Sequence, residues 1–163
     1  MRISIDNHLA LLHNSQGDLI GALDHYDRAL SLLDSARLPE EQYFSKLSML
    51  KFNKGTVYYR LEKWENALRI LKESERIKEK YGHRYLGSVY FNLANAYWKL
   101  GDLHRSEQYF YRSIDQWIAE HDTGYYELAN IYLQFGKFLA EKGADDRGLV
   151  YLQKALQNYR INY

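Results

Sequence analysis

A small residue set inside an apolar stretch recurs four times along this chain, at Ala10, Gly55, Ala94 and Gly136. Its surroundings recur with it. Three residues after each anchor stand His13, Tyr58, Tyr97 and Leu139. Twelve after stand Ala22, Ala67, Ser106 and Gly148, all small. Sixteen after come the large residues Tyr26, Leu71, Phe110 and Leu152, and nineteen after come Ala29, Ser74, Ser113 and Ala155, small again. A chain written this way folds as stacked copies of one supersecondary unit, each too small to bury its apolar face alone.

The offsets define that unit. Two small positions 12 residues apart across a turn let two antiparallel helices approach closely. The large residue before the last small position fills the gap to the neighbouring pair. Seven after the anchors, Gly17, Gly101 and Gly143 suit a left-handed helix C-cap. Asp18, Asp102 and Asp145 then suit the start of the next helix, where a carboxylate caps free N–H groups. The second copy has Glu62-Lys63 instead, so a looser turn is expected there. One proline (Pro39) and ten glycines in 163 residues lack the closely spaced turn signals of a β sandwich. Apolar residues recur at three and four, as in Leu61, Trp64, Leu68 and Leu71, which is helical periodicity. The chain therefore reads as all-α, with about eight helices. They are expected over 3–16 and 19–35, 40–61 and 64–80, 84–100 and 103–120, and 124–142 and 146–160. One domain, 1–163, would then hold four helix-turn-helix repeats at about 3–35, 40–80, 84–120 and 124–160.

The stretch Asn92-Leu93-Ala94-Asn95-Ala96-Tyr97, followed by Leu100-Gly101-Asp102, Ser106 and Tyr109-Phe110, resembles the tetratricopeptide repeat. The resemblance extends along essentially the whole chain. It implies a right-handed superhelical solenoid whose first helices line a concave groove. The anchors lie 45, 39 and 42 apart, against a usual period of about 34, so the helices or the connections must be longer. Long, proline-poor repeats of this kind look like those of bacterial peptide-pheromone receptors and of some eukaryotic scaffold proteins. No polar capping helix is evident at either end. Two readings stay open: a domain cut from a longer or naturally short protein, and a homo-oligomer formed through uncapped ends.

A stripe at six and two before the anchor and one and five after it shares one helical face. In the four copies it reads Ser4, His8, Leu11, Ser15; Met49, Asn53, Thr56, Arg60; Ser88, Asn92, Asn95, Lys99; and Asn130, Gln134, Lys137, Glu141. Asn53, Asn92 and Gln134 hold the same offset in successive copies. An amide both donates and accepts, so a ladder of amides can pair with the backbone of an extended peptide. Phe52 and Phe91 beside them would offer apolar pockets, and Arg60, Lys99 and Lys137 would meet a carboxylate. In tetratricopeptide peptide-binding proteins, asparagines of the first helix commonly hold peptide, and the resemblance implies that role for Asn53, Asn92 and Asn95. The competing reading is that amides on an exposed helical face only keep it soluble. Asparagine is a poor helix former, and three at such positions favour binding.

There are 16 tyrosines. Tyr26, Tyr58 and Tyr97 sit at core offsets. Tyr59, Trp98 and Tyr109 flank them. Tyr85, Tyr90, Tyr125, Tyr126 and Tyr132 cluster before the third and fourth anchors.

Catalytic patterns are missing. The six histidines (His8, His13, His25, His83, His104, His121) include no pair four apart, and there is no cysteine, so no metal, cofactor or catalytic residue is expected. The run Glu73 to Lys80 mixes signs and reads as a solvated face. With 22 basic and 21 acidic residues the net charge is +1, which argues against direct nucleic-acid binding by bulk charge. No apolar run approaches the roughly 20 residues that span a bilayer, and no signal peptide is evident. A cytoplasmic, non-enzymatic module holding a peptide or protein segment in its groove is the expectation. Two alternatives stand beside it: the ligand-sensing fragment of a bacterial regulator, and a self-associating assembly scaffold.

Overall fold

The computed structural model of the chain describes residues 2–82, 85–121 and 126–162. The expected repeat starts at 84 and 124, together with His83 and Tyr125, lie outside the described residues. Among those described, all regular structure is helical. The helices are α1 (Arg2–Ser15), α2 (Leu19–Asp34), α3 (Glu40–Arg60), α4 (Trp64–Tyr81), α5 (Leu86–Lys99), α6 (Leu103–Glu120), α7 (Glu127–Glu141) and α8 (Asp145–Asn162). The chain forms two compact units, Met1–Arg84 and Tyr85–Tyr163. In the first, α1 pairs with α2 and α3 with α4, and α2 packs on α3. In the second, α5 pairs with α6 and α7 with α8, and α6 packs on α7.

The four tight turns are alike. Each ends its helix on a residue of positive φ: Gly17 at 85°, Glu62 at 58°, Gly101 at 79° and Gly143 at 80°. The next N–H reaches back five residues, from Asp18 to His13, Lys63 to Tyr58, Asp102 to Tyr97 and Ala144 to Leu139, at 2.9–3.0 Å. That bond pattern closes a helix end by satisfying its last carbonyls. The expected looseness at Glu62-Lys63 is therefore corrected. Glutamate takes the left-handed conformation there, because the packing of α3 against α4 sets the turn and leaves the side chain to bear a cost of about 1–2 kcal/mol. Asp18 and Asp102 cap their helices, accepting from Gly21 N at 2.9 Å and Arg105 N at 3.0 Å. Asp145 lies one position further in, as the first residue of α8. The first interval between anchors is long mainly because α3 is 21 residues long and opens 15 residues before Gly55.

The small positions do what the spacing requires. A Cβ on Gly55 would stand 2.8 Å from the Leu71 side chain, and one on Gly148 would stand 2.9 Å from the Gly136 carbonyl oxygen. Where serine replaces glycine or alanine, its hydroxyl bonds across the helix pair. Ser106 Oγ donates to Ala94 O at 2.9 Å, and Ser74 and Ser113 donate to Ser48 O and Gly87 O at 2.8 Å. These buried hydroxyls stitch α3 to α4 and α5 to α6. In the first unit the core gathers Ala10, Ala22, Tyr26, Ala29, Leu33, Leu50 and Val57. In the second it is aromatic: the Phe110 ring stacks at 5.0 Å on Phe135 and tilts against Phe138 at 5.5 Å. Tyr26 and Tyr97 are buried as their offsets predict, and Tyr58 is half-buried.

Candidate functional site

The nine candidate residues divide between the two units: Phe52, Asn53 and Arg60 on α3, and Phe91, Asn92, Asn95, Lys99, Gln134 and Lys137 on α5 and α7.

In the first unit the stripe of α3 is tied to α1. Asn53 Nδ2 donates to Asn7 Oδ1 at 3.3 Å. Arg60 donates to both the carbonyl and the side-chain oxygen of Asn14. Asn14 stands in the last turn of α1, where free carbonyls favour a cation. Thr56 Oγ1 donates back to Asn53 O at 2.7 Å. Phe52 is half-buried beside them. Asn53 and Arg60 thus join neighbouring repeats as well as lining a face, and Lys54 does the same through its pair with Asp27.

In the second unit the amides are held by their own helix. Asn92 Nδ2 donates to Ser88 O at 2.9 Å and Asn95 Nδ2 to Phe91 O at 2.8 Å. Each bond fixes the amide along α5. Asn95 is only 7% exposed, although its offset predicts a surface stripe. Among the described residues, the buried polar side-chain atom without a partner is the Tyr26 hydroxyl. Neither amide oxygen of Asn92 or Asn95 is among such atoms. Phe91 meets Phe110 edge-on at 6.2 Å. Trp98 spans two repeats, donating from Nε1 to Glu141 Oε2 at 3.2 Å and meeting Phe138 at 5.6 Å. The Lys99 ammonium lies 5.6 Å from the Trp98 ring. Gln134 is half-buried and Lys137 exposed on α7. α5 and α7 thus carry amides, aromatic rings and the lysines Lys99 and Lys137.

Three polar clusters have no local spacing signal. His13 Nδ1 bonds Asp18 Oδ2 at 2.7 Å, His25 Nδ1 bonds Asp6 Oδ1 at 2.9 Å, and the two imidazoles lie 5.0 Å apart. The Gly21 N–H bond, and then His13, hold the Asp18 carboxyl below its ordinary pKa. On α6, Arg112 lies 4.0 Å from the Tyr90 ring and 5.0 Å from that of Tyr109, and donates to the Tyr90 hydroxyl. Glu107 joins repeats by pairing with both Lys142 and Arg147. Burial raises its pKa, and the two cations outweigh that and leave it lowered. Each cluster joins residues from separate helices, which only packing brings together. Among the described residues, no group of three or more histidine or carboxylate side chains is placed to hold a metal ion. No described helix is long and apolar enough to cross a membrane.

Sequence profiles described as tetratricopeptide repeat match residues 45–117 and 85–161, and a second such profile matches 7–33. Comparison with curated protein sequences returns no match. Many solved structures share the fold. BtubC (BKLC) from P. vanneervenii is 20% identical, with a TM-score of 0.82 over 97% of this chain and 61% of that one. The Rap conjugation gene regulator of plasmid pLS20, in complex with the Phr* peptide, is 16% identical, with a TM-score of 0.78 over 95% of this chain and 42% of that one. The apo form of RapI is 13% identical, with a TM-score of 0.80 and coverage of 96% and 42%. This chain thus spans less than two thirds of the length of each of these three.

Proposed function

Because this chain belongs to the tetratricopeptide repeat family, we propose that it is a non-enzymatic binding module that holds an extended peptide or partner segment along the first helices of its repeats. The carrying observation is the pair of amides on α5. Asn92 and Asn95 each use one N–H to fix the side chain on the helix, and an amide carries a further N–H and an oxygen with which it can meet a ligand. A peptide backbone offers the matching groups. Phe91 and Trp98 supply apolar contact beside them, and Lys99 and Lys137 meet an acidic or C-terminal carboxylate. Gln134 extends the same chemistry along α7, and Asn53, Phe52 and Arg60 carry it separately on α3 of the first unit. A near-neutral chain fits protein or peptide partners rather than nucleic acid.

The test is a fluorescence-polarisation screen of extended peptides, followed by Asn92→Ala. Losing a buried hydrogen-bonding pair weakens binding by about 1–3 kcal/mol. Unchanged affinity with an unchanged circular-dichroism spectrum would remove the amide ladder from the mechanism. A second reading is a cytoplasmic signalling role as the sensing part of a longer regulator. It is supported by the similarity to a Rap protein that carries a peptide, and by the 42% share of that chain matched here.

A further inference from the structure

Packing between successive repeats uses the same offsets in both units. On the receiving side, α2 offers Leu23, Tyr26, Leu30 and Leu33, and the equivalent stripe of α6 offers Phe110, Ile114 and Trp117. On the incoming side, α3 presents Leu50 and Val57, and α7 presents Ile131, Phe135 and Phe138. Tyr26, Leu33, Leu50 and Val57 share one buried cluster, with Leu23 and Leu30 packed against it. Phe110, Phe135 and Phe138 are fully buried in ring contact with one another.

The same two half-joints occur again, uncovered. On α1 the incoming offsets hold Ile5, Leu9 and Leu12, which are 50%, 36% and 50% exposed. Their spacing of four and three puts them on one helical face. On α8 the receiving offsets hold Leu149, Leu152, Leu156 and Tyr159. Leu149, Leu156 and Tyr159 are 55%, 51% and 38% exposed, and Leu152 is half-buried. These four also share a face. Neither stripe carries a charge. Where the joint of α2 and α3 pairs Asp27 with Lys54, the open edges hold Gln153 and Leu9, so docking them strands no ion.

We propose that α8 of one copy docks on α1 of a second copy, repeating between molecules the joint that α2 makes with α3 and α6 with α7. The occupant follows from complementarity, since the chain carries both halves of a joint that it already builds twice internally. Such a contact is heterologous, so it propagates head to tail and closes only if the geometry makes a ring. It is independent of the amide face, none of whose residues takes part.

The test is the solution mass by light scattering and sedimentation over a wide concentration range, for the chain and for Leu12→Glu and Leu156→Glu. The expected result is concentration-dependent growth of the wild type. Each variant should weaken self-association on the order of tenfold or more, because it places a charge in a desolvated joint. An equimolar mixture of the two variants should stop at a dimer, since one intact α8 meets one intact α1. Circular dichroism should show unchanged helix content, and Leu9→Lys and Tyr159→Glu serve as substitutes for any variant that unfolds. A wild type that is monomeric throughout overturns the proposal. So does association that survives either substitution, or a mixture that stays monomeric, which would mean that the contact is not head to tail.

Discussion

Replacing Tyr26 by phenylalanine should stabilise this protein, with a characteristic pH dependence. Tyr26 is fully buried between α1, α2 and α3, and its hydroxyl has no hydrogen-bond partner among the described residues. A buried polar group left unpaired costs about 1–3 kcal/mol. Phenylalanine keeps the ring and removes the unpaired group, at the expense of a small void. The expected gain at neutral pH is about 1 kcal/mol, or about 2–4 °C in Tm for a chain of this length. Alkaline pH adds a second test. Burial pushes the Tyr26 phenol up to about 12 from an ordinary 10. A group whose folded pKa is raised stabilises fully below the unfolded pKa, and the contribution is lost as pH rises through the folded one. The wild type should therefore lose up to roughly 2–3 kcal/mol from this group between pH 10 and 12, and the variant should not. Other tyrosines such as the half-buried Tyr151 shift in the same direction, but they are common to both proteins and cancel in the difference. The assay is denaturant unfolding of both proteins at pH 7 and at steps from pH 9 upward. A variant less stable at pH 7 would mean that the hydroxyl is bonded in solution. A stability gap that fails to widen above pH 10 would refute the linkage argument.

Glu62→Gly should raise stability by about 1 kcal/mol in thermal unfolding, because the residue sits at a φ of 58° that glycine adopts without the Cβ clash; a lowered Tm would show that the glutamate side chain makes a compensating contact. Ala94→Leu should lower Tm by several degrees, since Ala94 is fully buried and its carbonyl receives the Ser106 hydroxyl at 2.9 Å, and overpacking a close helix contact costs about 1–3 kcal/mol; an unmoved Tm would mean that the repeat register is misassigned. If the four repeats act as one domain, chemical denaturation monitored by far-ultraviolet circular dichroism and by tryptophan fluorescence should give one coincident transition. Two resolved transitions would instead assign separate stabilities to the units divided between Arg84 and Tyr85.

The offsets from Ala10, Gly55, Ala94 and Gly136 were enough to place eight helices in pairs, because close approach of two backbones excludes every large side chain at a few positions and so leaves a periodic mark. Helix ends were legible wherever a local device writes them. Asp18 and Asp102 cap as expected, since a carboxylate needs only its own first turn to bond. Glu62 was misread as a loose turn, because nothing local shows that packing of α3 on α4 will hold a glutamate in a glycine conformation. The amide stripe could be located on one helical face, as its angle depends only on helix geometry. Its bonding could not be read. Asn53 reaches Asn7 and Arg60 reaches Asn14 across 46 residues of sequence, while Asn92 and Asn95 turn back to carbonyls four residues away. The choice between those partners rests on which helix lies alongside, and that is settled by the summed burial of many residues. By itself, then, the sequence determined the repeat, the helical class and the helical face that carries the amides, all of which follow from short-range geometry. The tertiary structure alone decided which polar groups on that face are already engaged, which histidines and carboxylates meet, and which apolar stripes stay open, since each depends on contacts between residues far apart in the chain.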